Sequence, residues 1–494
     1  MKVILVLTGL GIVTLLAEMF KLRKLLFPIV ILGMLAAIGT AASYWWYDDG
    51  ALTPYLNGAI DGNHHIPTAG FGISSMIVFG PSSILFSIVM LVTALLWFIM
   101  AGGFFKEESS QSDHYALVIF SLTGAILLTC YANMVMLFLG IEILSIPLYV
   151  LAGSKKDSLA SNEAAFKYFL LGAFASAFLL FGIALIYGCT GSFDLRTIGS
   201  VIHNGVQATG LLYGGIVLIL VGLLFKVSAA PFHFWAPDVY QGSPTPVTAF
   251  MSTIVKTAAI VAIMRLFVGP TVFGTLDGFW NPLVAVLVGL TIIVGNLSAV
   301  VQTSVKRMLA YSSISHAGFL LMAIVAFSSA MAMKANITPK VLLYYTAAYS
   351  IASLTAFTVL LSVMKQTGGD AVDSFNGLAK KNPLLAVTMT VALLSLAGIP
   401  PTAGFFAKYY VLTAAFTTGH YSVAIIGILG SLIGVYYYFR IVIAMFFKSP
   451  DTQEVTAESS HQGLLFITAV LTLVLGLLPD LLLNLGSLPT AAAN

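Results

Sequence analysis

The segment that decides the fold is LLFKVSAAPFHFWAPDVY, residues 223–240. It begins as the end of an apolar run, carries Lys226 inside that run and reaches Pro231 five residues later. A buried ammonium group costs free energy, and a proline removes a backbone donor and displaces the helical hydrogen-bond ladder. A second run, AGIPPTAGFFAK at 397–408, combines two prolines with Lys408 in the same way. The sequence therefore predicts two discontinuous helices, each with a lysine beside its break.

The composition is that of a membrane protein. Of 494 residues 59% are hydrophobic and 8% are charged, whereas soluble domains have about 45–50% and about 25%. The net charge of +3 comes without any basic tract, which excludes nucleic acid as a partner. Cys130 and Cys189 are the two cysteines. Both lie in or beside apolar runs, so we expect buried thiols and neither a disulfide framework nor a metal cluster.

Apolar runs of about 20 residues, the length needed to cross a bilayer, predict an all-α polytopic membrane protein with about fourteen spans. Their approximate limits, numbered here as spans 1 to 14, are 2–20, 25–47, 73–103, 115–131, 133–153, 163–188, 209–237, 246–268, 279–301, 307–329, 340–364, 384–417, 422–447 and 462–485.

The distribution of positive charge predicts the orientation. Of the 22 Lys and Arg residues, 13 fall after odd-numbered spans and 5 on the opposite side, the others lying within spans. By the positive-inside rule both termini face away from the cytoplasm. A loop rich in acidic and histidine side chains would then be external; it contains Asp48, Asp49, Asp61, His64 and His65.

The two broken runs predict an inverted repeat. Five spans separate one unit from its counterpart, and an odd offset gives the two units opposite topology, as in many transporters. We therefore expect three flanking helices in 1–114, a first five-helix repeat in 115–268, a second inverted repeat in 279–447 and one last helix in 448–494.

Six ionisable side chains lie within the expected spans. Each costs roughly 2.5–3.5 kcal/mol near the bilayer centre, so together they cost on the order of 15–20 kcal/mol before pairing. A purely structural helix bundle would not keep them, which favours a function for Glu142, Lys226, Lys256 and Lys408. Glu163 and Lys167 are weaker candidates, because residues four apart near a helix end can simply pair or reach water.

Histidines within spans allow two interpretations. His316 lies in YSSISHAGF among small hydroxylic residues that can hold water, and it is either a structural, hydrogen-bonded histidine or a member of a proton relay. His233 precedes Phe234 and Trp235, which favours a packing or capping role.

Lysine suits proton transfer in a dry bundle. Burial in an apolar environment makes a lysine release its proton more readily, and a nearby carboxylate reverses that effect. Glu142 and Lys226, if they can approach and separate, would thus form a switch for the proton on Lys226. The backbone carbonyls freed at each helix break must be buried in protein or face water, so each lysine is expected beside a possible water site.

Four motifs resemble the antiporter-like subunit N family of bacterial NADH:quinone oxidoreductase, respiratory complex I. They are GIEILSIPLYVL at 140–151, FKVSAAPFHFWAPDVYQGSPTPVTAF at 225–250, KRMLAYSSISHAGF at 306–319 and SLAGIPPTAGFFAKYYVL at 395–412. The resemblance covers about residues 115 to 450.

The resemblance implies a central hydrophilic axis across two inverted repeats. By residue match Glu142 is the glutamate of span 5, Lys226 the lysine of broken span 7, Lys256 the lysine of span 8 and Lys408 the lysine of span 12. It implies an ion pair between the first two. One departure from symmetry remains, since span 10 has His316 and serines but no carboxylate matching Glu142.

The resulting hypothesis is a proton-translocating membrane-arm subunit, partnered by other complex I subunits and lipid in a bacterial inner membrane. No Fe–S cysteine motif and no dinucleotide fingerprint occurs in the chain. We therefore expect no cofactor here, with NADH, FMN, Fe–S clusters and quinone in other subunits. The alternative is a subunit of a multisubunit Na⁺/H⁺ antiporter or a membrane-bound hydrogenase.

Overall fold

The structure is a computed structural model, which describes residues 1–20, 23–47, 76–105, 111–269, 271–327, 337–449 and 455–485. The acidic, histidine-containing loop expected to be external, with Asp48, Asp49, Asp61, His64 and His65, lies outside the described residues, as do Lys21, Lys106 and Lys334 of the charge count.

The described chain is all-α, as predicted, with no strand beyond three isolated bridges. Within it, 13 helices are long and apolar enough to cross a membrane, and the two halves of span 12 complete the fourteen. Spans 1 to 14 are Lys2–Met19, Leu26–Tyr47, Pro81–Phe105, Gln111–Cys130, Met134–Ala152, Leu159–Thr190, Thr209–Val227 with Ala236–Gly242, Thr245–Phe267, Asp277–Val300, Val305–Ala326, Ile337–Thr367, Pro383–Ala397 with Ala403–Thr417, Tyr421–Phe447 and Ser459–Leu477.

Both predicted helix breaks are confirmed. The first half of span 7 ends where Ser228 adopts the left-handed conformation (φ 61°), and the first half of span 12 ends at Gly398 (φ 85°). Neither helix can continue through the prolines that follow, because a proline lacks the N–H that the ladder needs. A carbonyl freed at the first break, that of Phe225, accepts a hydrogen bond from Trp235 Nε1 at 3.1 Å. The breaks thus lie inside the protein, where their backbone groups find partners.

The two halves of the chain repeat the same contacts. An isolated bridge joins Asn133, which caps span 5, to Asp194, and another joins Ser304, which caps span 10, to Ala371. We call the sequence separation between these two capping residues, Asn133 and Ser304, the repeat offset.

Helix crossings recur at the same repeat offset. Gly124 packs its Cα against the backbone of Leu144, and Gly295 packs against that of Ser315. Because only glycine allows so close an approach of two backbones, spans 4 and 5 cross as spans 9 and 10 do.

The centre of the bundle consists of spans 8, 10 and 11. Their most apolar windows are 100%, 94% and 89% buried, compared with 39% for spans 6 and 13. Span 6 accordingly exposes large apolar side chains, Phe166, Phe174 and Phe178 among them, as expected for a helix that contacts lipid or another subunit. The buried centre is where Lys256 and His316 lie.

Candidate functional site

Lys226 lies in the last turn of the first half of span 7 and is 3% exposed. Its Nζ donates to Ser145 Oγ at 2.6 Å and to Tyr149 OH at 3.4 Å, both on span 5. The ammonium also lies 5.7 Å from the ring centre of Tyr168, within the range of a cation–π attraction. The C-terminal end of a helix is the negative end of its dipole. The break therefore stabilises a positive charge at this place.

Glu142 lies one helical turn before Ser145 on span 5 and is partly exposed. Its Oε1 accepts a hydrogen bond from Ser176 of span 6. Both Glu142 and Lys226 are described by the structure, and they form no salt bridge with each other. The expected ion pair is therefore not formed in this structure, in which the Lys226 ammonium donates to Ser145 instead.

Lys256 is the most buried of the expected lysines, with 1% exposure. It follows directly after a π-helical turn, Met251–Val255, in span 8; such turns are frequent at functional sites. Its Nζ donates to the carbonyl and to the hydroxyl of Ser313 on span 10. Ser313 is separated from Glu142 by the repeat offset. A serine thus stands in the second half at the place that the glutamate occupies in the first.

His316 joins the Lys256 region to the break in span 12. Its Nδ1 lies 2.8 Å from Tyr345 OH and its Nε2 lies 3.5 Å from Tyr438 OH. It lies one helical turn after Ser313, which binds Lys256, and one turn before Phe319, whose ring lies next to the Lys408 ammonium. The histidine therefore lies between the two lysines and has a hydroxyl group at each ring nitrogen.

A small cavity adjoins His316. It offers about 10 Å³ to the centre of a water molecule and is lined by Tyr345, Tyr349, Ser395 and Gly404 as well as the histidine. This volume is about that of a single water site. Ser395 and Gly404 flank the break in span 12. The cavity therefore lies between His316 and the break in span 12.

Lys408 belongs to the second half of span 12, yet its ammonium returns to the end of the first half. Its Nζ donates to the carbonyl of Ala397 at 2.9 Å and lies 5.0 Å from the ring centre of Phe319. Lys226 and Lys408 thus occupy the same kind of place, the carbonyl end of a half-helix, although they come from different halves of their spans.

Glu163 and Lys167 form a pair, with Nζ 2.6 Å from the carboxylate. Lys167 also contacts Asp238 at 2.7 Å, and Asp238 contacts Arg307 at 2.8 Å. These side chains are about 29–64% exposed and lie at the ends of spans 6, 7 and 10. Exposed pairs contribute little to stability, and this cluster includes none of Lys226, Lys256 and Lys408.

Lys306 corrects the charge count made from the sequence. The predicted limits of spans 9 and 10, 279–301 and 307–329, place it in the loop between them and among the 13 charges counted there, but the structure puts it in the first turn of span 10 with 3% exposure. Its Nζ donates to the carbonyls of Gln241 and Ser243, which end the second half of span 7. No local pattern indicates this burial, since Lys306 adjoins the charged Arg307 at a span end.

Several partners of the lysines could not be selected from the sequence. Ser145 and Ser313 have a weak signal, because each lies three residues from a residue already suspected, Glu142 and His316 respectively. Tyr345 and Tyr438 have none, since a tyrosine in an apolar span is ordinarily a packing residue.

No metal site accompanies the lysines in the described part of the chain. Across the described ranges no three His, Cys, Asp or Glu side chains are grouped to hold a metal ion.

These features define a class of protein: a polytopic membrane subunit of the antiporter type, with two related helical units, two broken helices and a buried line of lysines. A family model described as NADH:quinone oxidoreductase/Mrp antiporter, TM matches residues 131–434. The chain is 41% identical over 489 residues to NADH-quinone oxidoreductase subunit N of Cytophaga hutchinsonii, covering 98% of this chain and 99% of the relative.

Solved structures agree with that match. A chain of respiratory complex I from Thermus thermophilus is similar with a TM-score of 0.76 and 32% identity, covering 98% of both chains. A chain of the Mrp complex from Dietzia has a TM-score of 0.81 at 21% identity over 98% of this chain and 95% of its own, which shows the common fold. The protein belongs to the NADH-quinone oxidoreductase subunit N family, and the resemblance found in the sequence is confirmed.

Proposed function

We propose that this chain is a proton-translocating membrane-arm subunit of NADH:quinone oxidoreductase. The observation that carries the proposal is the buried series of groups from Lys256 through His316 to Lys408, with a water-sized cavity beside the histidine. Buried ammonium groups without carboxylate partners are costly, and proton transfer gives them a use. NADH, FMN, Fe–S clusters and quinone would belong to the other subunits of the complex.

Lys226 is the proposed switch. Its ammonium contacts Ser145, and Glu142 lies one turn away on the same helix. If the Lys226 ammonium moved from Ser145 to Glu142, the carboxylate would hold the proton on the lysine, because an opposite charge favours the ammonium form. The return movement would release the proton toward the lysines of the core. Glu142 would thus act on Lys226 by approach and withdrawal.

The proton path between Lys226 and Lys256 is proposed to pass Tyr240. This tyrosine lies near Ser228, which ends the first half of span 7, and near Ser313, which binds Lys256. The Ser228 hydroxyl is buried and has no hydrogen-bond partner within the described chain, so the proposed path requires a water molecule or a side-chain movement at this point. Lys226 and Lys256 would then share one path.

A single path shared by the two repeats fits their asymmetry better than two equal pumps. The matched contacts, related by the repeat offset, support the proposed units 115–268 and 279–447, flanked by helices in 1–114 and 448–494. Ser313 in the place of Glu142 leaves Lys256 without a carboxylate switch of its own. The second unit would therefore pass on the proton that the first unit controls.

The weaker candidates, Glu163 and Lys167, are proposed to act at the surface. With Asp238 and Arg307 they form a partly exposed charged cluster at one end of the bundle. This end lies on the side of the loops after odd-numbered spans, which the positive-inside rule assigns to the cytoplasm. We propose a bacterial inner membrane location with both termini on the opposite side.

Replacing Lys226 by Ala tests the proposal. We expect an assembled complex whose NADH-driven proton pumping into membrane vesicles falls by about tenfold, as a barrier raised by about 1.4 kcal/mol would produce. Lys380→Ala, which removes a lysine in the segment between spans 11 and 12, is the matched control and should pump normally.

Normal pumping by an assembled Lys226→Ala complex would refute the relay. The alternative, a cation/proton antiporter subunit, predicts Na⁺-dependent proton movement without NADH. Vesicles in which a Na⁺ gradient alone drives proton movement through this protein would favour that class. The identity of 41% with subunit N over nearly the whole chain favours the first function.

A further inference from the structure

Two arginines occupy matching places in the two halves of the bundle. Arg265, near the end of span 8, donates from NH2 to the carbonyl of Tyr131 at 2.7 Å. Arg440, near the end of span 13, donates from NH2 to the carbonyl of Gln302. The two accepting residues, Tyr131 and Gln302, are separated by the repeat offset that also relates the two helix crossings. The two arginines therefore bind equivalent residues of the two halves, although they are not themselves separated by the repeat offset.

Neither arginine has a carboxylate bonded to it. The structure describes both, and each forms no ion pair among the described residues, whereas Arg307 contacts Asp238 at 2.8 Å. In each of the two the Nε atom is buried and has no hydrogen-bond partner in the described chain. Asp373 is near enough to Arg440 to interact with it electrostatically, but Lys448 already donates to that carboxylate at 3.0 Å.

An anchoring role does not explain these charges. A neutral amide could also donate to a helix-end carbonyl, and it would leave no buried Nε–H group without a partner, which costs free energy in both arginines. The positive charge itself must then have a use. Arg265 in addition donates to Ser83 Oγ at 3.1 Å, which holds the guanidinium between spans 3, 4 and 8.

The two arginines can be placed relative to the buried series of Lys256, His316 and Lys408. Arg265 is nine residues after Lys256 on span 8, which is about 13.5 Å along a helix. Arg440 is two residues after Tyr438, whose hydroxyl lies 3.5 Å from His316. Span 8 and span 13 run in opposite directions if successive spans alternate, so the two arginines lie toward opposite ends of the bundle.

We propose that Arg265 and Arg440 are electrostatic barriers, each closing one end of the bundle to protons. A fixed positive charge in a narrow protein path excludes protons, as it does in water-selective pores. Each repeat would then connect the buried lysines to one side of the membrane only. This inference rests on the proposed function, since a barrier to protons matters only where protons are moved.

The test measures passive proton leak in the whole complex. The purified complex is reconstituted into liposomes without NADH, a K⁺ diffusion potential is applied with valinomycin, and the inner pH is followed with a trapped dye. We expect Arg265→Gln to raise proton conductance about tenfold, the effect of removing about 1.4 kcal/mol of charge repulsion. Arg265→Lys keeps the charge and should remain as tight as the unmodified complex.

Arg196→Gln is the matched control. Arg196 is exposed in the short helix Leu195–His203, which follows span 6 and so lies on the same side as the end of span 8, where Arg265 lies. This variant should not leak. A tight Arg265→Gln complex would overturn the proposal, and so would equal leaks from Arg265→Gln and Arg265→Lys, because equal leaks would show that the guanidinium acts only as a structural anchor.

A second variant covers the case in which Arg265→Gln does not assemble. Arg265→His carries a charge that is lost as pH rises through the range of about 6 to 8. The leak of this complex should therefore increase with pH, and a leak independent of pH would refute the barrier. Failure of the proposed function remains distinguishable, since that would appear as normal NADH-driven pumping by Lys226→Ala.

Discussion

An alanine substitution at Gly398 tests the position of Lys408, provided that its effect on fold stability can be controlled for. It adopts φ +85°, and a Cβ built on it would lie 2.8 Å from Lys408 Cδ. Gly419 also adopts φ +85°, but a Cβ there would meet nothing within 4 Å. Alanine at either place costs about 1–2 kcal/mol for the left-handed backbone. Gly398→Ala and Gly419→Ala thus share one strain, and only the first disturbs the lysine.

The added methyl group should move the ammonium. Carbon atoms in ordinary contact lie about 3.5–4.0 Å apart, so Lys408 Cδ must withdraw by about 1 Å. The flexible side chain can do so cheaply, but its hydrogen bond to the Ala397 carbonyl, 2.9 Å long, would then break. A hydrogen bond made by a charged group is worth about 1.5–3 kcal/mol, which is a factor of about 10 to 150 in the population of the docked lysine.

We therefore expect both variants to assemble with similar thermal stability, while NADH-driven proton pumping falls by about tenfold or more in Gly398→Ala alone. The assay is dye quenching in inverted membrane vesicles, normalised to NADH oxidation in the presence of an uncoupler. Equal pumping by Gly398→Ala and Gly419→Ala would refute the role given to the docked position of Lys408.

Two further predictions concern Ser313 and a surface carboxylate. Ser313→Glu places a carboxylate against Lys256 and should lower the pumping rate about tenfold by holding the ammonium charged, whereas Ser313→Gln, of similar size, should slow it less; equal rates for the two would contradict the charge argument. The hydrogen bond from Lys448 holds the pKa of Asp373 below its usual range, so its contribution to stability is present above about pH 4 and is lost as pH falls through the lowered pKa. Asp373→Asn should therefore lower the unfolding temperature slightly at pH 7 and progressively less as the pH falls below about 4, as thermal scans can measure; a difference that stays unchanged as the pH is lowered through the acid range would contradict the argument.

The fold could be predicted from local features. Span length depends on runs of apolar residues, and a helix break depends on prolines at known positions. The predicted limits accordingly agree with the structure to within a few residues for most spans, including the starts of spans 7 and 12 at Thr209 and Pro383. Span 3 begins later than predicted, at Pro81, because a proline is favoured in the first turn of a helix.

The sequence by itself determined which residues are costly in a membrane, and hence that Glu142, Lys226, Lys256 and Lys408 call for a functional explanation. Charge and hydropathy are properties of each residue and its near neighbours, so they can be read along the chain. The burial of Lys306 could not be predicted in this way, because it depends on the carbonyls of Gln241 and Ser243, which are distant in the sequence.

Only the tertiary structure decided the partner of each charge. Lys226 contacts Ser145 rather than Glu142, and Lys408 reaches back across its break to Ala397. These contacts depend on how separate helices cross and on which rotamer a long side chain adopts there. Such short distances arise from packing between helices, and no periodicity within one helix encodes them.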